Sequence, residues 1–188
     1  MPFCDHFDFL APMYDHIIKQ GNLDDLIQLV NLPIGGTLLD AGGGTGRIAQ
    51  ALSNLVHDII VVDASMGMLR QAGEKDGLLL TCAQTETLPF PEKSFDRVIM
   101  VDALHHVNNH QKTAHELWRV LKSGGRIVIE EPNITKLTVR VVALLEKLAL
   151  MRSHFLSPPR IARLFRESGA KIMIHEKDYT AWIIINKD

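Results

Sequence analysis

"LLDAGGGTGRIA", Leu38 to Ala49, sets four glycines and a threonine between an apolar run that ends in an acid and a segment with helical spacing. Backbone this bare takes turns that side chains forbid, and it lets a ligand lie against the main chain with no Cβ in the way. Toward the carboxyl end, "DIIVVDA" reads as a buried strand, "SMGMLRQAG" opens on a serine suited to an N-cap, and "LLLTCA" is a short apolar run. "FDRVIMVDAL" is a further strand, followed by a helix from about His110 to Leu121, the turn "KSGG" and the strand "RIVIEE". Strands that alternate with helices imply a parallel sheet with helices on both faces. On the amino side, an amphipathic helix from about Met13 to Val30 is broken by Pro33 and Gly35-Gly36 before the strand "TLLDA".

The end of the chain departs from that alternation. The apolar helix "LTVRVVALLEKLALM", residues 137–151, precedes "SPPRIARLFRESGA", in which Ser157 can cap, the prolines suit a first turn and Gly169 can stop the helix. The runs "KIMIH" and "YTAWIIINK" then read as a hairpin. The expected fold is therefore α/β, a doubly wound seven-stranded sheet that is mostly parallel and closes on an antiparallel pair.

Composition narrows the function classes. The chain has 188 residues, 46% of them hydrophobic, and a formal net charge of −2, as expected of one domain over 1–188. Nucleic acid is not expected as a partner, because phosphate binding calls for a basic excess, and the Arg and Lys of the last third are scattered. No run is long and apolar enough to span a bilayer, and "MPFCDHFDFLAPMYDH" lacks the basic start of a signal peptide, so a cytoplasmic protein is expected. With only Cys4 and Cys82 there is neither a disulfide framework nor a spaced metal set; Cys4 is expected to be disordered and Cys82 buried.

Glycine-rich turns serve nicotinamide, flavin, nucleotide phosphates and S-adenosylmethionine alike. In a doubly wound sheet this turn falls beside the switch point, where ligands sit at the carboxyl ends of the strands. Gly42, Gly44 and Gly46 give G-x-G-x-G, whereas the dinucleotide fingerprint needs a glycine where Arg47 stands, and no P-loop lysine is present. Asp63, at the end of the second strand, stands where two ribose hydroxyls need a carboxylate, a feature shared by dinucleotide and adenosylmethionine sites.

"LLDAGGGTGRIA", "VVDASMGML", "AQTETLPFPEKSFDRVIMVDALHHV" and "HELWRVLKSGGRIVIEEP", in this order, resemble the class I S-adenosylmethionine-dependent methyltransferases, within the group that includes the ubiquinone/menaquinone C-methyltransferases. The resemblance runs from Phe7 to Pro132 and implies a Rossmann-like fold with S-adenosylmethionine as cofactor and S-adenosylhomocysteine as its product. It also implies a cap over residues 1–32 and a substrate-side insertion over 133–157. By the same resemblance Asp40 orients the glycine loop and approaches the methionyl amino group. Gly42, Gly43, Gly44, Thr45 and Gly46 lie along the methionyl and ribose part, Asp63 takes the ribose, and Ala64 lies beside the adenine. Met68 is counted among the cofactor contacts. Where the family has D-A-E-x-L-P-F, this chain has Gln84-Thr85-Glu86; Gln84 can still accept the adenine amino hydrogen through its amide oxygen, and Thr85 would offer its backbone N–H.

Methyl transfer is an in-line displacement whose main requirements are alignment and exclusion of water. The resemblance sets Val101 and Asp102, in "VDALHHV", close to the sulfonium. It does not continue into the Pro-Pro-aromatic pattern of amino-group methylation. His105 and His106 offer a general base, or else one packs under the following helix and the other is solvated. Tyr14 would touch the methionyl carboxylate or the acceptor, or only pack a helix. The helix at 137–151 borders an apolar acceptor pocket, touches lipid, packs on the sheet, or meets a second copy in a homodimer. The expected activity is transfer of a methyl group to carbon or oxygen of a small acceptor, apolar in its leading version, such as a quinone precursor. The alternative is a binding module that keeps the cofactor pocket without catalysis, and a nicotinamide oxidoreductase is disfavoured.

Overall fold

The computed structural model describes residues 23–137, 139, 154–166 and 169–188. The expectations for Cys4, for Tyr14, for the helix before Leu23 and for most of the helix at 137–151 lie outside these residues. Helix α1 (Leu23–Val30) leads into β1 (Thr37–Ala41), α2 (Arg47–Leu52), β2 (Asp58–Asp63), α3 (Met66–Ala72) and β3 (Leu79–Cys82). The second half runs β4 (Phe95–Val101), a 3₁₀ turn (Leu104–His106), α4 (His110–Val120), β5 (Leu121–Pro132), α5 (Pro158–Arg163), β6 (Lys171–Lys177) and β7 (Thr180–Asn186).

The strands form one seven-stranded sheet in the order β3-β2-β1-β4-β5-β7-β6. β1 to β5 are parallel, and β7 enters antiparallel between β5 and β6. The expected α/β fold, mostly parallel with a terminal antiparallel pair, is the observed one.

Because side chains alternate along a strand, neighbours in sequence serve opposite faces. Leu39, Val98, Ile127 and Ile183 pack on one face with Leu117 of α4 and Phe165. Leu38, Ile59, Val128, Trp182 and Ile184 pack on the other with Leu26 of α1 and Leu52 of α2. Arg97 of β4 and Arg126 of β5, register partners, donate to the carbonyls of Val30 and Leu29 at 2.8 Å each. The orphan carbonyls at the end of α1 are thereby satisfied by two cations, which pins that helix to the sheet.

Edge position overrides composition at β3. "LLLTCA" is apolar enough to be a central strand, yet β3 pairs only with β2 and leaves Leu79, Leu80 and Cys82 exposed. The expectation of a buried Cys82 is therefore corrected. One helix end also differs from expectation. Ser157 occupies the N-cap of α5 without a side-chain hydrogen bond, since the prolines at N1 and N2 carry no N–H and the Arg160 N–H goes to the Ser157 carbonyl instead. Asn109, by contrast, caps α4 through a 3.0 Å bond from the Lys112 N–H.

At the carboxyl end of β5, buried Glu130 accepts the Trp182 indole N–H at 2.6 Å. Burial, with the nearby charges of Asp102 and Glu131, pushes the Glu130 carboxyl up to about 7, against the lowering effect of that hydrogen bond. Trp182→Phe removes the donor and is expected to destabilise the fold by about 1–3 kcal/mol. The loss should be larger at pH 8, where Glu130 is charged, than at pH 5. Urea denaturation of both proteins at the two pH values measures it, and an equal loss at both would contradict the role given to the hydrogen bond.

Candidate functional site

The glycine loop hangs from the end of β2. The N–H groups of Gly42 and Gly43 both donate to the Val62 carbonyl, at 2.7 and 3.1 Å, and Gly46 N–H closes a turn on the Gly43 carbonyl. Asp63 completes the suspension, since its Oδ2 accepts the Gly44 N–H at 2.9 Å and its Oδ1 the Ser65 N–H at 2.8 Å. One carboxylate thereby ties the glycine loop to the N-cap of α3.

At Gly43 the loop comes so close to β1 that a Cβ would stand 2.6 Å from the Asp40 carboxylate and 2.8 Å from Val61. At Gly46, the N-cap of α2, φ is +72° and a Cβ would meet Leu78 at 2.7 Å, so glycine is required on both counts.

Asp40, 1% exposed at the end of the central strand, is the electrostatic focus. Burial, and secondly the Asp63 charge, raises its carboxyl to about 7, while Arg47 and the Ala49 N–H pull the other way. Among the described residues its Oδ2 is buried without a hydrogen-bond partner, and so is Nη1 of Arg47 at the start of α2. Buried polar atoms of this kind are ordinarily partnered, so the pair marks a place kept for a ligand. Both residues line one small cleft with Gly42, Gly44, Val101 and Asp102. Gly43, Thr45 and Ile48 complete its wall. Asp102, the residue after β4, has φ +51°, an αL conformation that Asp tolerates better than most side chains, and its N–H donates to the Glu130 carbonyl at 3.0 Å.

The structure thus brings together Asp40, Gly42, Gly43, Gly44, Thr45, Val101 and Asp102, with Asp63 joined through Gly44. Met68 is buried beneath Gly44 rather than on the cleft wall. Ala64 and Gln84 lie exposed outside the cleft at the ends of β2 and β3, and Thr85 is buried with its hydroxyl 3.3 Å from that of Thr113. The cleft holds only about 50 Å³, far less than a whole nucleoside cofactor, so the site is identified by its chemistry and not by its size.

His105 and His106 occupy the 3₁₀ turn after β4. His105 is 5% exposed, with Nδ1 2.6 Å from Oε2 of Glu131, whose Oε1 accepts the Leu104 N–H at 2.8 Å. Its ring stacks on Phe155 at 4.3 Å and lies 4.0 Å from that of His106. Burial, then the neighbouring His105, depresses His106 to about 3, so this ring is neutral near pH 7 and a weak base.

Two residues of the site escape a reading of the sequence. Arg47 serves there only to exclude a dinucleotide fingerprint, although the first helical position after a glycine loop faces the ligand by construction. Glu131 is hidden in a strand, where two adjacent acids in an otherwise apolar run were the available signal.

Comparison with known proteins agrees with this geometry. Residues 39–129 match the model of a methyltransferase domain. A demethylmenaquinone methyltransferase of Renibacterium salmoninarum is 30% identical over 133 residues, 66% of this chain and 56% of the relative. A ubiquinone/menaquinone biosynthesis C-methyltransferase of Enterobacter sp. (strain 638) is 33% identical over 107 residues, 52% of this chain and 43% of that one. The chain spans about half the length of these curated relatives. Among solved structures, an S-adenosylmethionine-dependent methyltransferase of Thermotoga maritima has a TM-score of 0.81 at 20% identity, covering 97% of this chain and 98% of its own, which shows the shared fold.

The raised Asp40 carboxyl sets a measurable cost. The unfolded chain ionises this group near pH 4, whereas the folded chain keeps its proton until about pH 7, so folding loses stability as pH rises across that window. Asp40→Asn should leave stability nearly unchanged at pH 4 and raise it, by on the order of a few kcal/mol, at pH 8. Denaturation midpoints of the two proteins at both pH values check this; a variant less stable than the parent at pH 8 contradicts the buried, unpartnered carboxylate.

Proposed function

We propose, for a chain that carries a class I S-adenosylmethionine-dependent methyltransferase domain, that its cleft recognises the amino-acid end of the cofactor as a zwitterion and that the protein methylates a small molecule. The observation that carries this reading is the pair of orphaned buried atoms, Asp40 Oδ2 and Arg47 Nη1, in one cleft. A carboxylate and a guanidinium side by side answer an ammonium and a carboxylate on one carbon; a pyrophosphate would find the Asp40 charge repulsive. The cofactor, when bound, supplies an electrophilic methyl group on sulfur.

The chain's own residues then divide the work. Asp40 takes the ammonium, which returns the carboxylate to its charged form, and Arg47 takes the carboxylate. Asp63 keeps the loop in place through Gly44 and faces the ribose hydroxyls. Gln84 and Thr85, at the end of β3, border the adenine side. Val101 and Asp102, held at the end of β4, form the wall nearest the reacting carbon, and the apolar core behind them keeps water out.

The acceptor is read as a carbon or oxygen nucleophile of the enol, phenol or quinol class, in line with the quinone C-methyltransferases among the relatives. Such an acceptor must give up a proton. His105 suits this task better than His106, because Glu131 fixes its ring by a 2.6 Å bond at Nδ1, whereas His106 is too weak a base. Glu131 is in this reading a positioning residue.

Transfer of labelled methyl from S-adenosylmethionine to a panel of phenols, enols and quinols tests the proposal. Turnover on at least one member is expected, together with a roughly 10–100-fold loss of S-adenosylhomocysteine affinity in Arg47→Gln, the scale of a lost charge-assisted hydrogen bond. Tight binding without transfer to any acceptor would instead identify a binding module. Unchanged affinity in the variant would remove Arg47 from the site.

A further inference from the structure

A second and larger cavity, shallow and wide open to solvent, about 440 Å³, lies between the start of α4 and the helix α5. Arg160 and Arg163 line it, one helical turn apart and both exposed. Among the described residues neither guanidinium has an ion-pair or hydrogen-bond partner. His110 and Gln111, the first two residues of the eleven-residue helix α4, line the opposite wall. Their N–H groups are those that an α-helix leaves without an internal partner, and the Asn109 side chain satisfies Lys112 instead. The His110 ring adds a buried Nε2 without a partner. Leu156 and Leu164 supply an apolar wall. Two acids act on His110 there, Glu131 and Glu86, and Glu86 accepts the N–H groups of Asn108 and Asn109 at 2.8 and 3.2 Å, so those two amides are already taken.

The cavity wall is joined along the chain to His105, the base of the proposed reaction. Phe155 stacks on His105, His154 N–H donates to the His105 carbonyl at 2.6 Å, and the next residue after Phe155, Leu156, lines the cavity. Asn108 on the cavity wall follows Asp102 on the cofactor cleft by six positions.

We propose that this cavity binds the anionic group, a carboxylate or a phosphate, of the methyl acceptor. Arg160 and Arg163 bind its oxygens with their planar forks, the start of α4 adds backbone N–H donors, and Leu156 and Leu164 cover the adjoining apolar part. The acceptor is thus an acid with an apolar body rather than a neutral molecule. This identity of the ligand rests on the methyl-transfer reading above; the presence of an anion site does not.

Calorimetric titration of the full chain with benzoate and with inorganic phosphate, with and without S-adenosylhomocysteine, tests the site. Saturable binding of at least one anion is expected, weakened tenfold or more in Arg160→Gln/Arg163→Gln, with S-adenosylhomocysteine affinity unchanged. Equal anion binding by both proteins, or none by either, would overturn the site. Turnover on paired acidic and neutral acceptors then separates acceptor from free anion. Preference for the acidic member, competitive inhibition by phosphate, and a KM raised tenfold or more at unchanged kcat in the double variant are expected. Activation of neutral acceptors by phosphate, with no preference for acids, would overturn the acceptor assignment. Failure of S-adenosylhomocysteine to bind would sink the methyltransferase reading while leaving the anion titration to stand by itself.

Discussion

Asp40 is a carboxylate at the end of the central strand, sealed from water, with one oxygen that none of the described residues satisfies. A group so placed opposes folding near neutral pH, and the architecture around it is what makes it tolerable. β1 lies in the middle of the sheet and carries the acid to the point between β1 and β4 where the chain turns to build in the other direction. The glycine loop must then fold back over the carboxylate within a gap that no Cβ fits, which fixes Gly43. Arg47 answers the charge from the first turn of the following helix, close enough to lower the Asp40 carboxyl but with Nη1 still unpartnered. In the proposed function this unfinished electrostatic arrangement is completed by a ligand that bears both signs.

The same end of the sheet carries a series of acids, and each is handled differently. Asp63 is consumed by the loop's N–H groups, Glu130 by the Trp182 indole, and Glu131 by Leu104 and His105. Among the described residues Asp40 is the one of these four with a fully buried oxygen left without a partner, and it lines the cleft. The contrast separates Glu130 and Glu131, which hold the carboxyl ends of the strands together, from Asp40. It also explains how β7, the antiparallel strand inserted last, contributes to a site on the parallel part of the sheet: its Trp182 restrains the residue beside Asp102 in the register of β5.

Much of this follows from sequence where a local pattern has a local cause. The alternation of apolar runs and helical spacing yields the seven strands, and two acids at the ends of β1 and β2, with a glycine turn between them, yield the cofactor side. What sequence does not display is strand position. "LLLTCA" looks like an interior strand, but nothing in its residues says that β3 stands at an edge, so Cys82 reads as buried when it is exposed. Long-range partnership is equally hidden. Glu131 and His105 are 26 residues apart, and only adjacency of β4 and β5 brings them to 2.6 Å. Arg160 and Arg163 read as scattered charge until α5 turns them toward the start of α4. Residues whose roles depend on one element read early; those whose roles depend on two elements meeting do not.

The central claim is that the cleft takes an amino-acid zwitterion and that Asp40 changes protonation as it does so. Calorimetric titration with S-adenosylhomocysteine at pH 6.5, repeated in buffers of different ionisation enthalpy, measures both binding and the protons that accompany it. Since the Asp40 carboxyl is raised to about 7, it is largely protonated at this pH and must ionise to receive the ammonium. The account predicts binding with release of a substantial fraction of a proton per ligand, abolished in Asp40→Asn. Binding with no proton release, or no binding at all, would contradict it.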